Sequence, residues 1–308
     1  MVRIEAKTRS GLPYPRTPER AGFFFSGGID SYATLRANRL NFPLEHPWSL
    51  RDGLVVYGLE IDVPETYQLV VNMLQEVAPR AGLTLVPVYT NLYLNYRHED
   101  ARNHFSFWKY EFQGAVFAAI AHAFARRLTV VSVASGDDIP NIYPYGTHPL
   151  LDPNYGSVDL RIRHDGVMRS RLERTRLIAE WDLALQHLRV CNQIRRYRPG
   201  GLNCGQCEKC VRTMLALLAL GALNRTDAFP EKDITAELIR SAVEIDQDVI
   251  HYYQEVLPHL EARGRDDLAR AVRQKLRESQ GGGWKRKAGQ WNRKYLRKCF
   301  RKLVALLS

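Results

Sequence analysis

The chain lacks what would mark a membrane-spanning or secreted protein. In 308 residues no apolar run approaches the ~20 residues that cross a bilayer. The stretch Met1 to Arg16 carries charges but no apolar core, so it does not read as a secretory signal. There are only five cysteines, and four of them fall within 20 residues. That is a poor disulfide framework and a good metal site in a reducing compartment. No G-x-x-x-x-G-K-[ST] occurs, which excludes a Walker-type phosphate loop. Internal repeats are absent as well. The bulk composition is ordinary, at 45% apolar and 25% charged residues, which argues against disorder and collagen and for a soluble globular protein. The length fits one large domain or two small ones of roughly 100–200 residues each.

Acidic residues are missing from one region only. Residues 281–308 hold nine Lys and Arg and no acid, so most of the net charge of +11 sits there. The remainder has 35 bases against 33 acids. A nearly neutral body is not a dedicated nucleic-acid binder, and an anionic partner is expected for the tail alone.

Apolar runs alternate with helical periodicity. Gly22 to Phe25, Leu54 to Ile61, Leu83 to Tyr89 and Thr129 to Ala134 read as strands. Asp30 to Leu40, Pro64 to Ala81 and Glu111 to Arg127 read as helices. This alternation predicts an α/β protein, a Rossmann-like parallel sheet with helices on both faces. Ligands of such sheets sit beyond the carboxyl ends of the strands. Pro140 to Gly166 reads as a long irregular loop. Helices are expected again near Arg171, over Glu208 to Ala222, over Ile234 to Arg263 and over Asp267 to Ser279. The expected units are an arm (1–20), an α/β domain (21–190), a cysteine-bearing helical region (191–280) and a basic tail (281–308).

Ser26-Gly27-Gly28-Ile29-Asp30-Ser31 lies between the first strand and the first helix. Glycines let backbone N–H groups turn toward an anion, and a helix N-terminus favours negative charge. Ser26 and Ser31 add hydroxyl donors. A plain β-turn with a Ser/Asp cap would use the same residue types. The run Phe-Phe-Phe-Ser-Gly-Gly-Ile-Asp-Ser resembles the signature of the PP-loop ATP pyrophosphatases. That superfamily has an adenine nucleotide alpha-hydrolase (HUP-type) fold, cleaves ATP to AMP and pyrophosphate, and adenylates an oxygen of its acceptor. The resemblance implies that Ser26, Gly27, Gly28, Asp30 and Ser31 hold pyrophosphate with its Mg²⁺, and that Gly58, Leu59 and Ile61 face the adenine.

Cys191, Cys204, Cys207 and Cys210 follow C-x12-C-x2-C-x2-C. Four thiolates with this spacing suit a closed, structural Zn²⁺ site, with an iron–sulfur cluster as the competing option. A PP-loop followed by such a set resembles the 7-cyano-7-deazaguanine synthase family over about residues 20–223. That family forms a nitrile from a carboxylate with ATP and ammonia. Where it carries Y-P-D-C-R, this chain reads Tyr143-Pro144-Tyr145-Gly146-Thr147, which implies a different acceptor.

Asp137 and Asp138 follow the fourth strand and could hold Mg²⁺ on ATP, with Asp138 favoured by the resemblance; either could also be a turn residue. Arg171 opens a helix and could meet phosphates. His148 and His164 have no partners at metal spacing and read as polar loop residues. In the tail, Trp284, Ala288, Trp291, Tyr295, Cys299, Leu303 and Leu306 recur at helical spacing among basic residues. That pattern suits an anionic membrane surface or an acidic partner through residues 284–308, or docking on the protein's own body. The expected activity is ATP-dependent adenylation of a carboxylate or amide oxygen, then attack by ammonia or an amine. Catalytic duty is expected of Asp30, Ser31, Asp138 and Arg171, with a small-molecule acceptor chosen by residues 139–166. The expected location is cytoplasmic, peripheral to the inner face of the membrane if the tail binds lipid, and a homodimer is left open. The alternatives are a tRNA-modifying PP-loop enzyme and a non-catalytic nucleotide module tethered to a membrane.

Overall fold

A computed structural model describes residues 10–11, 19–59, 61–92, 107–197 and 201–280. The tail and most of the arm lie outside the described residues, and so does the expectation placed on the tail. Five parallel strands form one sheet in the order β3-β2-β1-β4-β5. They are β1 (Ala21–Phe24), β2 (Leu50–Tyr57), β3 (Thr84–Tyr89), β4 (Val130–Ala134) and β5 (Arg161–Asp165). Phe23 stands level with Gly53 of β2 on one side and Ser132 of β4 on the other.

Burial on both faces explains the near-continuous apolar runs of the inner strands. Phe23 and Phe25 enter one core, where Phe25 meets Tyr32 edge-on at 5.1 Å. Phe24 points to the opposite core and packs on Phe117 at 4.6 Å. The first core is covered by α1 (Ile29–Asn41), α2 (Pro64–Arg80), α4 (Arg171–Ala179) and α5 (Asp182–Gln186), the second by α3 (Gln113–Ala123). The first core continues without a break through Cys191, Cys204 and Cys210 into α6 (Glu208–Leu220), α7 (Ala236–Ala242), α8 (Ile250–Glu261) and a helical stretch over 266–280. One apolar cluster therefore spans the boundary expected at 190/191.

Four expectations change. The second strand, expected over Leu54 to Ile61, runs Leu50–Tyr57. The segment 140–166 is not all loop, because Arg161–Asp165 forms the edge strand β5 beside β4. The helix expected over 234–263 is two helices, α7 and α8. Between them Val243 and Ile245 are buried while Glu244 and Asp246 are exposed, the alternation of an extended segment. The helix expected over 111–127 begins earlier, as a π-helical turn over Trp108–Phe112, and its regular part ends at Ala123.

The chain runs β1, β2, β3 toward one edge and then returns to β4 and β5 on the other side of β1. The direction reverses between β1 and β4. A crevice opens at the carboxyl ends of the strands at such a reversal. Ser26-Gly27-Gly28 leaves β1 there and Ser135-Gly136-Asp137 leaves β4 there.

Candidate functional site

Gly27 has φ +76°, in the left-handed region. A Cβ on it would lie 2.9 Å from Met73 Cε, so both conformation and space call for glycine. Gly28 is the N-cap of α1, and no side chain caps that helix. Its N–H donates to Ser26 Oγ (3.3 Å), and Ser31 Oγ donates to the Gly28 carbonyl (3.1 Å). The Ser26 and Ser31 hydroxyls are 3.4 Å apart. The turn thus brings two hydroxyls and a helix N-terminus together, a combination able to bind an anion.

Beside it stands a knot of charge. Asp30 pairs with Arg171 Nη1 at 2.5 Å and with Arg174 Nη1 at 3.0 Å. Arg174 is 2% exposed and also donates to the carbonyls of Ser135 (2.9 Å), Gly136 (2.5 Å) and Gly166 (3.2 Å). It therefore ties the loop after β4 to the loop after β1. Burial would push the Asp30 carboxyl up, but the two guanidinium groups outweigh it and hold it below the ordinary value. The same pairing raises Arg171 against the pull of its own burial. Arg171 opens α4 behind a capping box of Ser170 and Glu173. The N-terminus of that helix is already satisfied, since Ser170 Oγ and Leu172 N–H both donate to the Glu255 carboxylate. The side chain of Arg171, not the helix end, is what faces the crevice.

Of the acidic pair, Asp137 belongs to this knot. Its Oδ1 accepts from the Tyr252 hydroxyl (2.6 Å) and lies 3.2 Å from His251 Nε2. Tyr252 in turn lies under Arg171 (5.7 Å) and Arg212 (4.9 Å). Asp138 turns away and accepts from Asn141 Nδ2 (2.6 Å) at the start of a short 3-10 turn. Gly58 has φ +91° and donates its N–H to the Ile61 carbonyl (2.8 Å), closing a turn at the end of β2. Ile61 is in the core, whereas Leu59 is half-buried.

The four cysteines converge. Cys191 Sγ is 3.5 Å from Cys204 and 3.6 Å from Cys207, Cys204 is 3.8 Å from Cys210, and all four sulfurs lie within 4.8 Å of one another. Four sulfurs about 2.3 Å from one tetrahedral ion stand about 3.8 Å apart. The set can therefore hold a single metal ion. A cubane cluster binds each sulfur to a different iron and needs a wider cage. Cys207 is the N-cap of α6, which puts Cys210 in its first turn. Gly205, at φ +71°, makes the tight bend between Cys204 and Cys207, and a Cβ there would collide with the Glu231 carboxylate. Backbone N–H groups of Gln193, Gln206 and Cys207 donate to sulfur at 3.3–3.4 Å. Hydrogen bonds from Cys207 and Cys210 hold Cys191 well below the ordinary thiol value, while Cys207 and Cys210 are pushed up. A bound metal ion lets all four ionise.

The centre and the turn touch. Arg189, two residues before Cys191, donates its N–H to the Gly27 carbonyl (2.8 Å). Sequence reasoning missed Arg174, Arg189, Arg212 and Tyr252, because single polar residues carry no pattern. It also read His164 as a polar loop residue, yet His164 lies in β5, where its Nδ1 pairs with buried Asp152 at 2.7 Å, and Asp152 accepts the His148 N–H at 3.1 Å. This pair pins the 139–160 segment to β5. Comparison with protein-family models and with curated proteins finds no match.

Proposed function

We propose that this protein uses ATP, releasing AMP and pyrophosphate, to adenylate a carboxylate or amide oxygen that ammonia or an amine then attacks. The observation that carries this reading is the Ser26-Gly27-Gly28 turn at the strand-order reversal, with Gly27 at φ +76° and α1 uncapped by any side chain. In the first step the acceptor oxygen bonds to the α-phosphorus and pyrophosphate departs. In the second, nitrogen bonds to the activated carbon, AMP departs and the nitrogen loses a proton.

Each role rests on named groups. The Ser26 and Ser31 hydroxyls and the first amides of α1 would stabilise charge on the departing pyrophosphate. Arg171 would meet phosphate oxygens, and Asp30 holds it in place. Asp137 is the better candidate than Asp138 for meeting Mg²⁺, since Asp138 is engaged with Asn141. Gly58 and Leu59 would border the adenine. Acceptor choice falls to the 139–166 segment. The likeness to 7-cyano-7-deazaguanine synthases supports the reaction class, and Tyr145-Gly146-Thr147 in place of Asp-Cys-Arg points to another acceptor. We read the metal as Zn²⁺ in a structural role, because four thiolates leave no open position.

The test is AMP release, screened over carboxylate acceptors with ammonium present. Acceptor-dependent AMP is expected, and Ser26→Ala should abolish it. AMP formation that Ser26→Ala leaves unchanged would overturn the assignment.

A further inference from the structure

Arg189 is a buried cation with nothing to balance it. The residue is 3% exposed. Its guanidinium lies beside the Tyr197 phenol, whose hydroxyl donates to the Cys191 carbonyl at 2.5 Å. Among the described residues its Nε and Nη2 have no hydrogen-bond partner. No carboxylate is paired with it among the described residues. An unpaired buried charge is strongly disfavoured, so a fold that retains one has an anion in prospect. Asp30 satisfies Arg171 and Arg174 in the crevice, and Asp52 satisfies Arg20 and Arg127 at the other end of the sheet. Arg189 has no such carboxylate among the described residues.

The four-cysteine set supplies such an anion when loaded. A divalent ion with four thiolates carries a net charge of −2, and three of the four sulfurs belong to buried residues. Backbone N–H groups serve the sulfurs of Cys191, Cys204 and Cys207, but these neutral donors leave the net charge unbalanced. Arg189 reaches this centre through Tyr197 and by being two residues from Cys191. We propose that Arg189 is the counter-cation of the metal–thiolate centre, a positioning residue whose charge raises the affinity for the metal. The same residue's N–H holds the Gly27 carbonyl, so the centre and the phosphate turn share one support. The role does not depend on what the turn binds.

The test uses full-length protein loaded with Co²⁺, whose thiolate charge-transfer absorption reports the site, titrated with a chromophoric chelator. Arg189→Gln keeps the backbone bond to Gly27 and a polar side chain beside the phenol but removes the charge. It should lose Co²⁺ at a chelator concentration at least tenfold lower than wild type, with the far-ultraviolet circular dichroism unchanged. Arg189→Lys should stay within threefold of wild type. Wild-type affinity in the Gln variant would overturn the proposal. So would unchanged metal affinity with weakened binding of inorganic pyrophosphate, which would make phosphate the anion that Arg189 serves. If the Gln variant does not fold, the Lys variant decides: retention within threefold supports the charge role, and a tenfold loss overturns it.

Discussion

Asp30 carries two arginines on one carboxylate, and this one side chain fixes the geometry of the crevice. Its removal leaves Arg174 buried with only carbonyls for company. Asp30→Ala should cost about 3 kcal/mol of stability by urea titration, the scale for breaking a buried pair. Asp52 plays the matching part at the far end of the sheet. It is buried, and Arg20 and Arg127 each approach it to 2.6–2.7 Å. Burial alone would raise its pKa, but the hydrogen bonds from the two arginines prevail and lower it. The consequence for pH has a definite sign. Carboxylates held below their unfolded value contribute fully above about pH 4 and lose that contribution as pH falls through the folded value. The stability gap between wild type and Asp52→Asn should be constant from pH 6 to pH 5 and shrink below about pH 4. A gap that widened in acid would contradict the pairing. Gly27→Ala combines a left-handed backbone, at roughly 1–2 kcal/mol, with the clash against Met73. It should distort the turn and reduce pyrophosphate binding while the sheet survives.

The cysteine centre is the element on which the second half of the core is hung. Three of its four cysteines are buried in the main apolar cluster, with α6 leaving from the last of them. Stripping the metal with a strong chelator should release one equivalent per chain and lower the midpoint of thermal unfolding. Cys204→Ser should do the same without a chelator. An unchanged midpoint after full removal would mean the packing suffices alone. The elements that could be read from the chain are those whose cause is local. Three phenylalanines followed by Ser-Gly-Gly make a buried strand and a turn, and the Cys spacing makes a cluster that could hold a metal ion. β5 was not legible, because Arg161, Arg163, His164 and Asp165 surround a single Ile162. Pairing with β4 and the distant Asp152–His164 contact make it a strand, and neither lies in its own sequence. The break between α7 and α8 was legible but misread: Val243, Glu244, Ile245 and Asp246 already alternate with period two. The knot around Asp30 was half visible. Asp30 and Arg171 could be named separately, but their meeting is a fact of tertiary packing across 141 positions.

At the scale of the whole molecule, two stretches of chain meet in one crevice. The first contributes the turn after β1 and Asp30. The second contributes Arg171, Arg174, Arg212 and Tyr252, and reaches the turn again through Arg189. Among the described residues no helix is long and apolar enough to cross a membrane. A membrane contact, if the protein makes one, is expected from residues 284–308. Deleting them should remove binding to vesicles rich in anionic lipid and leave AMP formation unchanged, whereas vesicle binding that survives the deletion would assign it to the body. The central claim is that the Ser26–Gly28 turn grips the pyrophosphate end of ATP. Calorimetric titration of Mg²⁺-pyrophosphate into wild type and into a Ser26→Ala, Ser31→Ala double variant tests it most directly. Each hydrogen bond to a charged oxygen is worth about 1.5–3 kcal/mol, so the double variant should bind at least a hundredfold more weakly with its fold intact. Equal binding by the two proteins would contradict the account.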